Sequence, residues 1–219
     1  MAGTELRIYF DRSRDPVKNL SREDELFRRV ESGELPELVR FWINSECLVR
    51  GRARSARYGW YDEEVAKKMG IRVVERSTGG GVVYHDEGNL NWSFFVKTPG
   101  AFVSPTKAFD GASRHVIGAL RRLGVPAQFS PPNRIDASGR KISGMAARST
   151  AHVLLVHGTL LLDSDLERLN ALCIPPAGCP PVSNVNEWVK DVDSGRVARA
   201  VSGVLEDSGY RVRMASETG

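Results

Sequence analysis

Glutamine is almost absent from this sequence: Gln128 is the only one in 219 residues. Arginine far outnumbers lysine, and the two biases together suit either a hot habitat or a skewed genome composition. Cysteine is scarce. Cys47, Cys173 and Cys179 make an odd count without metal-ligand spacing, which argues against a disulfide or zinc scaffold and fits a reducing compartment. No apolar run approaches the ~18 residues that a membrane-spanning helix needs, so no membrane partner is expected. The opening MAGTELRIYFDRSRD carries charges where a signal peptide would be apolar, and a cytoplasmic location is expected. GxGxxG and GKS/GKT are both missing, which excludes a dinucleotide fingerprint and a Walker loop. No dense basic run is interleaved with aromatics, so nucleic acid is not an expected partner. The net charge of +4 (Lys+Arg 31, Asp+Glu 27) suits an anionic substrate or an acidic partner without compelling either.

What is present suits one α/β core without repeats. Strands are expected at Leu6–Phe10, Leu38–Ile43, Cys47–Val49, Ile71–Glu75 and Val82–Tyr84. Leu90–Val96 alternates Leu90, Trp92, Phe94 and Val96 with Asn91 and Ser93, the period of a half-buried strand. Further strands fall near Val125–Phe129 and, as a hairpin, at Lys141-Ile142-Ser143 and Val153–Leu162. Tyr210–Met214 adds a last strand. Ser21 can cap a helix to Val30, Asp62–Met69 is a short helix stopped by Gly70, and Ser104-Pro105 starts a longer one. Asp163 or Ser164 can cap a helix through Leu172, and a proline-rich loop (Ile174–Val182) precedes a helical C-terminal region. The expected class is α/β of the α+β kind: a mixed, largely antiparallel sheet with packed helices.

Three segments carry chemistry. Gly79-Gly80-Gly81 after a strand gives a backbone that a ligand can approach, and Arg76 beside it offers a fixed positive fork for phosphate or carboxylate; a plain hairpin loop is the rival reading. Lys141 in Gly139-Arg140-Lys141-Ile142-Ser143-Gly144 is a point charge followed by small residues, though a lysine on a sheet is often only a solvated edge charge. His157 in His157-Gly158-Thr159 sits in an apolar strand, where a satisfied structural histidine is the commoner case.

In this order, RSTGGGVVYHDEGNLNWSF, GRKISGMA and HGTLLLDSDLERL resemble the lipoate–protein ligase family, within the biotin/lipoate ligase and lipoyltransferase fold. The resemblance runs from about Asn19 to Leu172. It implies that lipoate attacks the α-phosphate of ATP with Mg2+ present, giving lipoyl-AMP, and that a lysine of a lipoyl domain then takes the acyl group. It places Arg76, Gly80, Gly81, Val82, Val83, Tyr84 and Lys141 at the ATP and adenylate site. Lys141, Gly80 and His85 are placed at lipoate, and Lys141 is the catalytic residue. Implied partners are the lipoyl domains of 2-oxoacid dehydrogenase E2 subunits and the glycine-cleavage H protein.

The sequence departs from the family pattern at several places. Glu75 stands where the family has a first arginine, and Gly51-Arg52-Ala53-Arg54 lacks a glutamine. Asn133-Arg134 replaces the Asn-Asp whose aspartate sits near magnesium, leaving the metal ligand unknown with Asp136 as a substitute. One catalytic domain over 1–219 is expected, without the C-terminal accessory domain of larger members, so a separate accessory protein is expected to replace it. The rivals are a transferase of the same fold, using Cys179 or Cys173 as nucleophile, and a non-catalytic lipoate-binding protein that docks on the carrier.

Overall fold

The computed structural model describes residues 4–52, 60–98 and 104–215. The Ala53-Arg54 part of the early glycine–arginine segment lies outside the described residues. In chain order the elements are β1 (Glu5–Phe10), α1 (Pro16–Glu31), β2 (Glu37–Trp42), β3 (Cys47–Arg50), α2 (Glu63–Lys68), β4 (Val73–Glu75), β5 (Val82–His85) and β6 (Asn89–Lys97). There follow α3 (Pro105–Arg122), β7 (Ala127–Ser130), β8 (Arg134–Ala137), β9 (Arg140–Ser149), β10 (Val153–Leu161), α4 (Leu166–Leu172), α5 (Ser194–Asp207) and β11 (Arg211–Ala215).

Among the described residues, eight strands form one sheet in the order β11-β1-β2-β6-β10-β9-β8-β7, and β4-β3-β5 form a second. β1 runs parallel to β2 and β11, and β4 parallel to β3; the other pairings are antiparallel. The mixed, largely antiparallel sheet expected from the sequence is what forms. α3 and α5 bury Val116, Leu120, Val201 and Leu205 with Leu90 and Trp92 of β6. A second cluster joins Leu26, Phe27 and Val30 of α1 to Leu38, Phe95 and Leu155 of the sheet. Each such side chain, fully buried, contributes ~1.5–3 kcal/mol. Leu20, Trp42, Cys47 and Val49 tie the small sheet to the large one. α2 and α4 close round it through Ala66 and Leu172, packed with Leu48 and Tyr84.

Three details differ from the sequence reading. α1 begins at Pro16, not near Ser21, because the Asp15 carboxylate accepts the amides of Val17 and Lys18 and proline fits the first helical turn. The cap of α4 is Asp165, which accepts the Arg168 amide. β6 is not half-buried: Asn89, Asn91 and Ser93 are as inaccessible as Leu90, Trp92 and Phe94. Its alternation therefore separates an apolar face from a buried polar one, and the polar face borders the site. No helix among the described residues is long and apolar enough to cross a membrane.

Candidate active site

Strand register sets out the floor. Arg40 of β2 pairs with Ser93 of β6, Ser93 with His157 of β10, and His157 with Ala146 of β9. Two residues along, Trp42, Asn91 and Thr159 make a parallel row. A cavity of about 490 Å³ reaches from this floor to the glycine loop, β5 and the proline-rich segment. Its wall combines Trp42, Val49, Met145 and Leu161 with three cations, Arg76, Arg134 and Lys141. Among the described residues, no aspartate or glutamate lines it. Such a wall suits a ligand with an apolar body and an anionic group.

Arg76 is buried, and its guanidinium is largely occupied. Nε donates to Thr78 Oγ1 at 3.0 Å, Nη1 to the Val49 carbonyl at 3.0 Å, and Nη2 to the Gly79 and Gly81 carbonyls at 2.8 and 3.0 Å. Burial pushes the group down to about 10, still charged at neutral pH. The fork thus clamps the glycine turn while its charge borders the cavity. Gly80 has φ +92, the left-handed region that favours glycine. Gly81 is needed for a different reason: a Cβ there would lie 2.4 Å from the Trp60 ring.

The Arg76 network continues inward. Thr78 Oγ1 is 2.8 Å from His157 Nε2, and His157 Nδ1 is 2.8 Å from Glu23 Oε2. Ser93 Oγ donates to the other Glu23 oxygen at 2.6 Å. Burial would raise the Glu23 carboxyl, but the charge and hydrogen bond of His157, with help from Ser93 and Arg40, hold it below its ordinary value. His157 is the satisfied histidine that its apolar strand suggested, and it also lines the cavity.

His85 is fully inside. Asn44 Oδ1 is taken by Asn19, so Asn44 Nδ2 donates to His85 Nδ1 at 3.0 Å. Burial, with the charges of Arg76 and His157, pushes the imidazole down to about 3. The neutral ring therefore carries its proton on Nε2, which has no partner among the described residues.

Lys141 opens toward the same space. Its amide donates to the Pro181 carbonyl, and its carbonyl accepts from Ser183, so the proline-rich segment is laced to β9 at this residue. Its ammonium extends over Gly144, where an added Cβ would sit 3.2 Å from Nζ. No ion pair holds that ammonium among the described residues. Val82, Val83 and Tyr84 complete this wall. The Tyr84 hydroxyl donates to Glu46 at 2.7 Å and, through burial and that bond, is raised above its ordinary value. Cys173 and Cys179 also line the cavity, and burial pushes the Cys173 thiol up to about 11.

The structure thus gathers Arg76, Gly80, Gly81, Val82, Val83, Tyr84, His85 and Lys141 round one cavity. Sequence reasoning passed over Trp60 and Glu23, and met Arg134 only as the residue standing where the family has an aspartate, not as a site residue. Trp60 and Glu23 reach the site only through contacts distant in sequence, whereas Arg134 lines the cavity directly. No group of three or more His, Cys, Asp or Glu side chains that could hold a metal occurs among the described residues. Asp136 gives one oxygen to Arg134 at 3.4 Å. This donor set does not fit a magnesium ion held by the protein itself.

Residues 15–205 match the family model of the lipoyl protein ligase A/B catalytic domain. The chain belongs to this family. Lipoate-protein ligase LplJ of Bacillus subtilis is 36% identical over 155 residues, covering 71% of this chain and 45% of that protein. Lipoate–protein ligase 1 of Staphylococcus aureus is 33% identical over 191 residues, covering 81% and 55%. The chain spans about half the length of the curated relatives it matches. Among solved structures, a lipoate-protein ligase A bound with ATP superposes with TM-score 0.85 at 27% identity, covering 100% of this chain and 90% of the other. A bi-partite lipoate protein ligase from Thermoplasma acidophilum, described with its E2 lipoyl domain, superposes with TM-score 0.83 at 25% identity, covering 100% and 88%. A T. acidophilum structure with bound lipoic acid gives 0.82 at 26% identity, covering 100% and 90%. This lipoyl protein ligase A/B catalytic domain therefore carries its glycine turn and its lysine on the wall of one cavity.

Proposed function

We propose that this chain is a lipoate–protein ligase catalytic domain that forms lipoyl-AMP from lipoate and ATP and passes the lipoyl group to a lysine of a lipoyl domain. The observation that carries the reading is the cavity wall, which among the described residues holds three cations, no carboxylate, and an apolar surface including Trp42, Val49 and Met145. An acyl-adenylate needs both surfaces, and each methylene buried in the apolar part contributes ~0.8 kcal/mol.

The lipoate carboxylate attacks the α-phosphorus, the bond to the β-phosphate oxygen breaks, and pyrophosphate leaves. The acceptor ε-amine then attacks the acyl carbon, AMP leaves, and an amide forms. Negative charge grows first on phosphoryl oxygens and then on the acyl oxygen. The Lys141 ammonium, which has no ion pair among the described residues, is suited to stabilise both. Arg76 holds the glycine turn and adds long-range positive charge; His85 offers a neutral N–H donor. Magnesium would enter with the nucleotide phosphates and neutralise part of their charge.

The acceptors are the lipoyl domains of 2-oxoacid dehydrogenase E2 subunits and the glycine-cleavage H protein, in the reducing cytoplasm. A bi-partite ligase among the structural neighbours supports a second polypeptide that helps the adenylation step. A thiol-dependent transferase is the second reading, because Cys173 and Cys179 share the cavity with Lys141. The raised Cys173 thiol speaks against it, since the thiolate is the nucleophile. Pyrophosphate release from lipoate and ATP, measured with and without a second polypeptide, tests the proposal. Release supports it; ATP-independent transfer from an acyl carrier overturns it.

A further inference from the structure

Resting on the adenylating reading, we infer that Arg134 is a second phosphate-binding residue, which works beside Lys141 on the nucleotide. Arg134 begins β8 and lines the cavity. It pairs across the sheet with Gly144 of β9. Paired residues of antiparallel strands present their side chains on the same face. Gly144 presents none, and the space is crossed instead by the Lys141 side chain, whose Cε and Nζ both lie 3.2 Å from where a Cβ would be. The missing side chain thus lets the lysine ammonium lie over the residue directly opposite Arg134. Two cations from adjacent strands are brought to one patch of cavity wall.

Arg134 is also incompletely satisfied. Among the described residues its one protein partner is Asp136, reached by Nη2 at a long 3.4 Å. Its Nε is buried and has no partner among the described residues, and the same holds for Oδ1 of Asp136. A guanidinium is planar and carries five donors, so a buried, unused Nε beside a long ion pair leaves capacity for an oxyanion. Arg76 differs, because its donors are largely committed to the glycine turn. Asp136, the register partner of Lys141, holds the Arg134 fork through one oxygen and does not itself line the cavity. The ligand class is a nucleotide phosphate, since lipoate has only one carboxylate and Lys141 already serves the acyl-phosphate junction.

The test is equilibrium binding of four probes, ATP, AMP, adenosine and lipoate, to the wild type, R134K, R134Q and the double variant R134Q/D136N. The double variant avoids stranding a buried carboxylate, and lipoate binding reports an intact fold. A charge-assisted hydrogen bond is worth enough to predict a ~10- to 100-fold loss of ATP and AMP affinity in R134Q and the double variant. Adenosine and lipoate should change less than about twofold, and R134K should recover part of the loss. Arg134 is a mere partner of Asp136 if the double variant binds ATP like wild type, or if all four probes weaken together. A wild-type chain that binds lipoate but no nucleotide overturns the adenylating reading as well, so the two failures are distinguishable.

Discussion

The three consecutive glycines should respond very differently to alanine. At Gly79 a Cβ would meet nothing within 4 Å. At Gly81 it would lie 2.4 and 2.6 Å from Trp60 Cε3 and Cζ3, against the ~3.5–4.0 Å of an ordinary carbon contact. The indole must therefore retreat by about 1 Å. The backbone that carries Trp60 is tied down, because its carbonyl accepts from the Ile174 amide and, two residues on, the Asp62 amide donates to the Leu172 carbonyl. A shift would be passed to the proline-rich segment that begins at Ile174 and is hydrogen-bonded to Lys141 at Pro181. Overpacking of this kind costs ~1–3 kcal/mol. For a domain of this size that is a fall in melting temperature of roughly 2–12 °C. Gly81→Ala should show that fall with weaker binding of ATP and lipoate, whereas Gly79→Ala should match wild type within ~0.5 kcal/mol. Thermal melts and equilibrium binding on both variants check this. Equal behaviour of the two would refute the steric reasoning.

Lys141→Ala should lose ~10²-fold or more in lipoyl transfer, measured as acceptor modification under saturating substrate. Cys173→Ser/Cys179→Ser should leave ATP-dependent transfer nearly intact; complete loss would favour the transferase. His85 should make stability depend on pH. Its folded value is depressed to about 3, so between that pH and the ordinary imidazole value the unfolded chain binds the extra proton. Stability is then lost as pH falls, by about 2 kcal/mol for this group at pH 5 relative to pH 8. His85→Gln should remove that slope in urea titrations, and an unchanged slope would contradict the buried neutral assignment.

The strands and most helices were legible because their periodicity and caps are local. β6 shows the limit: its alternation was visible, but α1 supplies Glu23 to Ser93, so the polar side is buried too. β8 (Arg134–Ala137) was not among the expected strands, because four residues carry too little pattern to register as one. Arg76 was legible as a site residue from the glycines after it. Its commitment to the Val49, Gly79 and Gly81 carbonyls was not, since that depends on the closing of the small sheet. Glu23 and His157 stand far apart in sequence and meet only through packing of α1 on β10. Lys141 was legible by its motif, whereas the lack of an ion pair on its ammonium among the described residues, although Asp136 is its register partner on β8, depends on the tertiary structure.

The most direct test of the central claim supplies preformed lipoyl-AMP to the purified chain together with an E2 lipoyl domain. It follows acceptor mass and AMP release, which bypasses any need for a second polypeptide in adenylation. The account predicts stoichiometric AMP release and lipoylation of one acceptor lysine by wild type, with both strongly reduced in Lys141→Ala. No transfer by wild type, or equal transfer by Lys141→Ala, would contradict it.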